Sequence, residues 1–388
     1  MAGSGAAYAA VLAAALVTWP VTGRAADIAV SSNDAHTVLD DQGNQVAPQT
    51  AAPDTVSIIN LSDYPPKVIA TVDCPGSVVG PPMAVWVAPD ASWAIVTSAT
   101  KADPQGPSGI SPDDRVSVLD LAASPPKVVQ QTNAGLGATE VRVSPDGTLA
   151  LVANRTEGTL SVFEVKDKRL QPAGKVDFGK QSGPSGVAFL PDGRTALVTR
   201  NYDHMVSVLH LDGTHVQIDE RPITTGLAPY TLDINAAGTL AAVSNMGRGD
   251  GDVDSVSLID LTVSPFRTVE TVGVPSGPEP MKFSPDGHFL AVGAENGTPK
   301  TKASPFFHEH GLIQMFAVDG THLHKLAEAP VGRWVEGIAF SRDGQTVLVQ
   351  NAYDHTVAVF RWQDGRLTAG APLRFEGAAP VAFGTPWP

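Results

Sequence analysis

The sequence predicts an all-β fold: a seven-bladed β-propeller of four-stranded blades, with the ring closed by the C-terminal strand completing the N-terminal blade. Three observations carry this expectation. Turns of the Ser-Pro-Asp-Gly type recur at residues 88–91, 144–147, 190–193, 284–287 and 341–344, with a degenerate Asn-Ala-Ala-Gly copy at 235–238. Five steps separate Asp90 from Asp343, a period of about 51 residues, in the range of propellers and solenoids. Short β-branched runs flank every turn and are broken by Gly and Pro, which is the grammar of strands.

Each unit can be read in order. A first strand precedes the turn: Val85-Trp86-Val87, Val141-Arg142-Val143, Val187-Ala188-Phe189, Leu232-Asp233-Ile234, Met281-Lys282-Phe283 and Ile338-Ala339-Phe340. In the turn, Pro presets the first central torsion, Asp tolerates the second, and Gly takes the left-handed position that joins two antiparallel strands tightly. A second strand follows, as in Leu-Ala-Leu-Val-Ala-Asn from Leu149. Third strands begin at Val56, Val116, Leu160, Val206, Val256, Ile313 and Val357, and a fourth strand follows each, as from Lys67 and Lys127. There are seven third strands but six first strands ahead of a turn. The segment from Asp27 reads as a second strand lacking its first, and Ala-Pro-Val-Ala-Phe-Gly from Ala379 has the missing pattern. Pairing the two closes the ring and removes its seam.

Composition narrows the function. The chain has 388 residues, 17% of them charged, with a formal net charge of −14 and no Lys/Arg-rich block. A phosphate backbone needs a basic surface, so the balance argues against a nucleic-acid partner, and none is expected. Cys74 stands alone, which rules out an internal disulfide and any multi-cysteine metal centre. Residues 6–17 form an apolar run ahead of Gly23-Arg24-Ala25, the small-residue pattern a signal peptidase reads. The expectation is a signal peptide over residues 1–25, a propeller domain over 26–388, a periplasmic or secreted location, no membrane span and a monomer.

The units resemble the YVTN-type repeat of the lactonase-like seven-bladed propellers; residues 183–213 show its layout of Gly-Pro, first strand, Pro-Asp-Gly turn, second strand, polar loop and third strand. The resemblance covers nearly the whole chain after residue 25. It implies the propeller fold, a ligand face built from the second-to-third-strand loops and the fourth-to-first-strand connections, and hydrolase or isomerase relatives. It also implies an Arg-His pair leading into one first strand and a Glu in a neighbouring loop. Here the fifth such entry reads Pro229-Tyr230-Thr231 and its loop Asn245-Met246-Gly247-Arg248, so that set does not carry over.

On the expected ligand face, Met83, Thr139, Glu140, Ser185, Tyr230, Glu279, Trp334, Glu336 and Ala379 enter the first strands and should line the channel mouth, with Arg155, Arg200, Arg248 and Arg333 close in sequence. The sixth unit carries a long loop over residues 293–312, which holds Glu295, Phe306, Phe307, His308 and His310; long loops in compact repeats are commonly functional. His308 and His310 have the spacing to share a divalent metal, with His355 or Glu336 completing the set. Tyr-Asp-His occurs twice, at residues 202–204 and 353–355, read as polar turns in which Asp accepts backbone amides. Asp250, Asp252 and Asp254 alternate but lack the rest of a calcium loop and read as a solvated turn. The ligand-binding candidates are therefore Tyr230, Glu279, Glu295, Arg333, Trp334, Glu336, Tyr353 and His355. The first reading is an exported binding or interaction propeller that holds a small molecule or an envelope or redox protein. The alternative is a lactonase-like hydrolase or isomerase with a Glu/His acid-base set.

Overall fold

The computed structural model describes residues 26–50 and 52–387; the expected signal segment, residues 1–25, lies outside them. Seven antiparallel blades of four strands stand around a central channel, the seventh with a short extra strand, Leu373–Arg374, paired to its third. The third blade sets the pattern, running outward from the channel through Ala138–Val143, Leu149–Asn154, Thr159–Lys166 and Arg169–Asp177. Leu149–Asn154 is buried along its whole length, whereas Arg169–Asp177 is largely exposed. Burial thus peaks at the second strand, which packs against neighbouring sheets on both faces, and falls towards the outermost strand. Two hairpins extend the framework, Val38–Leu39 with Gln45–Val46 and Thr100–Ala102 with Ile110–Pro112.

The ring closes as the sequence implied. Ala379–Gly384 pairs with Ile28–Asp34, from Val30 opposite Gly384 to Asp34 opposite Ala379, with a register shift between Ser32 and Asn33. Ile28–Asp34 then pairs with Thr55–Asn60, completing the first blade. Hydrophobic side chains fill the spaces between blades: Trp93, Ile95 and Val118 of the second meet Val141, Val152 and Phe163 of the third in one core.

Hydroxyl and amide side chains add polar ties from blade to blade. Thr97 Oγ1 donates to the Thr139 carbonyl at 3.0 Å, Thr139 Oγ1 to Ser185 at 3.0 Å, and Thr199 Oγ1 to Tyr230 at 2.7 Å. Thr231 Oγ1 donates to the Glu279 carbonyl at 2.5 Å, and Gln350 Nε2 to Ala382 at 3.2 Å. The accepting carbonyls belong to residues in or entering the first strands, so these bonds locate the channel wall.

Several first strands carry a register shift near the loop face. In the fifth blade Pro229 opposes Asn245 and Leu232 opposes Val243; in the seventh Val335 opposes Asn351 and Ile338 opposes Val349. Bulges of this kind re-aim side chains and are common beside functional sites. Tyr230 and Glu336 both sit within one.

Candidate functional site

A funnel of about 300 Å³ opens on the loop face over the channel. Its wall takes Arg155 and Asn201 from the third and fourth blades, Tyr230 and residues 246–249 from the fifth, Glu279 from the sixth, and Trp334 and Glu336 from the seventh. Gln45 from an inserted hairpin and Val78, Val79 and Gly80 complete it. Five blades contribute, together with the first blade's inserted hairpin and the link from the first blade to the second, so the site belongs to the ring rather than to one sector.

Three carboxyls gather at its floor. Glu336 has no exposed surface, Glu279 is half-buried on the funnel wall, and the half-buried Glu295 stands close enough to act on both without lining the funnel itself. Burial pushes the Glu279 carboxyl up to about 7, against the opposing pull of the Arg155 guanidinium and a hydrogen bond with Glu336. Burial and the negative charge of Glu279 hold Glu295 well above the usual carboxylate range. Burial, Glu279 and Glu295 do the same to Glu336. Carboxylates accept but cannot donate, so with every carboxyl ionised neither Glu336 oxygen finds a partner. One retained proton turns the Glu279–Glu336 contact into a hydrogen bond and relieves the repulsion. Shared protons between crowded carboxyls separate an acid from a base at neutral pH.

Above this floor lies Arg155. Its guanidinium stands 5.0 Å from the Tyr202 ring and 5.2 Å from the Tyr230 ring, and donates through Nη2 to Asn201 Oδ1 at 2.8 Å. Two aromatic faces and one amide hold the fork in place, yet its Nε finds no acceptor among the described residues. Burial also drives the Tyr230 phenol upward, keeping it protonated as a donor. The site therefore presents a partly ionised carboxylate, a protonated carboxyl and a fixed cation.

The structure brings Tyr230, Glu279, Trp334 and Glu336 to the funnel and places Glu295 against them through its effect on both other carboxyls. Arg333, Tyr353 and His355 are not among the residues that line the funnel. Arg333 lies 3.8 Å from the Tyr353 ring centroid and forks onto Asp354 Oδ1 at 3.0 and 2.6 Å, while its backbone amide donates to Asp354 Oδ2 at 2.7 Å. Both Tyr-Asp-His copies are turns ending in a left-handed His, at φ 61° for His204 and 50° for His355. The Asp residues of these turns are engaged by Arg200 and Arg333.

In the long loop, His308 Nδ1 lies 2.8 Å from the Asn296 carbonyl and 3.2 Å from that of Phe306, so the ring is tied to its own loop. Phe306 packs over Gly251, whose missing Cβ would lie 2.3 Å from Phe306 Cγ. The loop therefore leans onto the fifth blade. Among the described residues the His/Cys/Asp/Glu group with converging ligand atoms is Asp34, His36 and Asp54, which does not include His308 or His310. Met83, expected at the loop face, lines a different cavity at the other end of the channel. Arg155 stands out in the sequence only as a neighbour of the first strands, and Asn201, Gln45 and Val78 carry no motif that marks them as funnel lining.

Residues 115–222 match the model of the lactonase, seven-bladed β-propeller family, which bears out the resemblance carried by the repeats. No curated protein matches the chain. Among solved structures, a putative 6-phosphogluconolactonase from Bacteroides fragilis is 14% identical, covering 94% of this chain and 99% of that one, with a TM-score of 0.71. A functionally unknown protein from Desulfotomaculum acetoxidans is 13% identical over 92% of this chain and 98% of that one, at a TM-score of 0.68. Hydrazine synthase from Kuenenia stuttgartiensis is 20% identical over 73% of this chain and 77% of that one, at 0.57. At these identities the likeness is one of fold.

Proposed function

We propose that the chain is a hydrolase of the lactonase type, opening a cyclic ester in the funnel. The observation that carries this is the Glu279–Glu336 pair beneath a fixed Arg155, in a chain whose residues 115–222 match a lactonase family model. In this reading Glu279, near its half-ionised point at neutral pH, removes a proton from water as the oxygen attacks the lactone carbonyl carbon. Arg155 faces the negative charge that develops on the carbonyl oxygen. The tetrahedral adduct collapses with cleavage of the ring C–O bond. Glu336 donates its proton to the leaving ring oxygen, giving a hydroxy acid. The funnel lining carries no histidine among the described residues, so the acid-base work falls to carboxyls rather than to the Glu/His set read from sequence.

The test is base uptake in a pH-stat with glucono-δ-lactone, γ-butyrolactone and dihydrocoumarin as probes. At least one should open with saturable kinetics, and Glu279→Gln and Glu336→Gln should each lower kcat by about 10²-fold or more, the scale of general acid-base catalysis. Folded wild-type protein that opens none of them, or Gln variants as fast as wild type, would overturn the proposal. Saturable binding of a lactone without opening it would instead favour the binding propeller.

A further inference from the structure

On the face opposite the funnel, consecutive Pro-Asp-Gly turns pack on one another around the ring. A Cβ added at Gly193 would lie 3.7 Å from Pro145 Cδ, one at Gly238 2.4 Å from Pro191 Cδ, and one at Gly344 3.9 Å from Pro285 Cδ. Gly287 meets Asn235 in the same way at 3.9 Å. The series breaks between the second and third blades. No described atom lies within 4 Å of that position at Gly147, and both Gly147 and Pro89, its expected neighbour, line a cavity of about 630 Å³. The cavity runs from this gap to the channel floor at Asp233 and Lys282.

The sequence supports the gap locally. The second-blade turn ends in Ala91 where the others have Gly, and Ala91 is held at φ 57°. Its first strand carries Trp86 at the position occupied by Arg142, Ala188, Asp233, Lys282 and Ala339 in other blades. Trp86 stands edge-on to Trp93, with ring centroids 4.9 Å apart, and remains half-buried on the cavity wall. Two pairs of oppositely charged groups meet at the floor or beside it. Lys282 Nζ meets Asp233 Oδ1 at 3.0 Å, and Arg142 Nη2 meets Glu140 Oε1 at 2.8 Å. A charged ligand would have to compete with one of these partners in a site of low dielectric, which is costly. An uncharged ligand faces no such competition. Lys282 has three N–H donors, and the contact with Asp233 uses one of them. A neutral oxygen acceptor is the group that fits the remainder. The volume lies within the range of about 300–1,000 Å³ typical of small-molecule pockets, and apolar walls with a few placed polar groups are their usual composition.

We infer that this cavity is a second binding site, separate from the funnel, for an uncharged aromatic molecule bearing a carbonyl or phenolic oxygen, seated against Trp86 with that oxygen on Lys282. The pairing of ring and acceptor follows from the wall and floor just described. It does not depend on whether the funnel hydrolyses lactones.

The probe for the test is 6-propionyl-2-dimethylaminonaphthalene, a neutral aryl ketone whose emission moves to the blue on leaving water. Titration into the full chain should give a saturable blue shift at one probe per protein, with quenching of tryptophan emission. Trp86→Ala should weaken binding about tenfold, the scale of one lost aromatic contact. Glu336→Gln, in the funnel, should leave it unchanged. Because Trp86, Trp93 and Trp387 line this cavity and Trp334 lines the funnel, Trp334→Phe should retain the probe-induced quenching. That measurement decides the matter even if Trp86→Ala fails to fold. An anionic analogue, 1-anilinonaphthalene-8-sulfonate, should bind more weakly. No saturable shift, loss of quenching in Trp334→Phe, full binding by a folded Trp86→Ala, or preference for the anion would each overturn the inference.

Discussion

Glu279 is the residue whose ionisation should set the pH profile of the funnel. If it acts as the base, activity rises as it deprotonates, giving an ascending limb near its value of about 7. Arg155 holds that value down, so Arg155→Gln should move the limb to higher pH as well as lowering the maximum. A pH–rate series on both proteins measures this, and an unmoved limb would remove Glu279 from the role. A second residue ties protonation to stability. His36 Nδ1 sits 2.9 Å from Asp54 Oδ1 and 3.1 Å from Asp34 Oδ1, and its Nε2 meets Thr100 Oγ1 at 3.1 Å. Burial lowers the imidazole pKa, as does the more distant Arg115, but the hydrogen bond to Asp54 and the charges of Asp34 and Asp54 raise it further, for a net upward shift. A group raised in the folded state contributes its full stabilisation below the unfolded value, about 6.5, and loses it as pH climbs through the folded value. Asp34, raised by burial, tilts stability the same way from lower pH. Melting temperature should therefore fall with rising pH above about 6.5, and His36→Gln should flatten that step.

Single strands and their ties come next. The segment Ala379–Gly384 buries Val381 and Phe383 within the first blade, each worth about 1.5–3 kcal/mol. Deleting residues 377–388 also strips Ile28–Asp34 of its inner partner, so the melting temperature should fall by about 10 °C or more. A truncated chain that melts with the full-length one would mean that the closing strand is not a stabilising element. A gentler test is Thr231→Val. It removes the donor to the Glu279 carbonyl at a cost of about 1 kcal/mol, and it should lower turnover through a loosened Glu279 without altering the far cavity. At this scale most of the fold was legible. Apolar triplets such as Val85–Val87 and Met281–Phe283 announce themselves because each is buried at alternate positions beside a turn of strict chemistry. The inserted hairpins were not legible, since strands of two or three partly exposed residues leave no alternation to read. The funnel lining was legible where it entered first strands, as at Tyr230, Glu279 and Glu336. It was hidden where loops supply it, as at Arg155 and Asn201, because a loop side chain is aimed by contacts that only the closed ring creates. The long sixth-blade loop is a like case: its Phe306 finds Gly251, while its Glu295 acts on Glu279 and Glu336.

Across the whole molecule, one ring presents two unlike ends. One end gathers three carboxyls beneath a single stacked guanidinium; the other is walled by tryptophan and methionine over paired charges. On the readings proposed above, a ligand at one end would be chosen by protonation and at the other by shape. The pairing of Asp34 with Ala379 also imposes an order in time. During synthesis Ile28–Asp34 emerges early and its inner partner emerges after every other strand of the domain. Until then the nascent chain is an open arc with an unpaired edge at Ile28–Asp34, a template for joining another chain. Joining segments so distant in sequence is an entropic cost that comes before the contacts that repay it. Chains halted short of Ala379 should therefore associate through that edge, whereas released chains close on themselves. The seal that makes the finished ring durable is the step that leaves the unfinished one exposed.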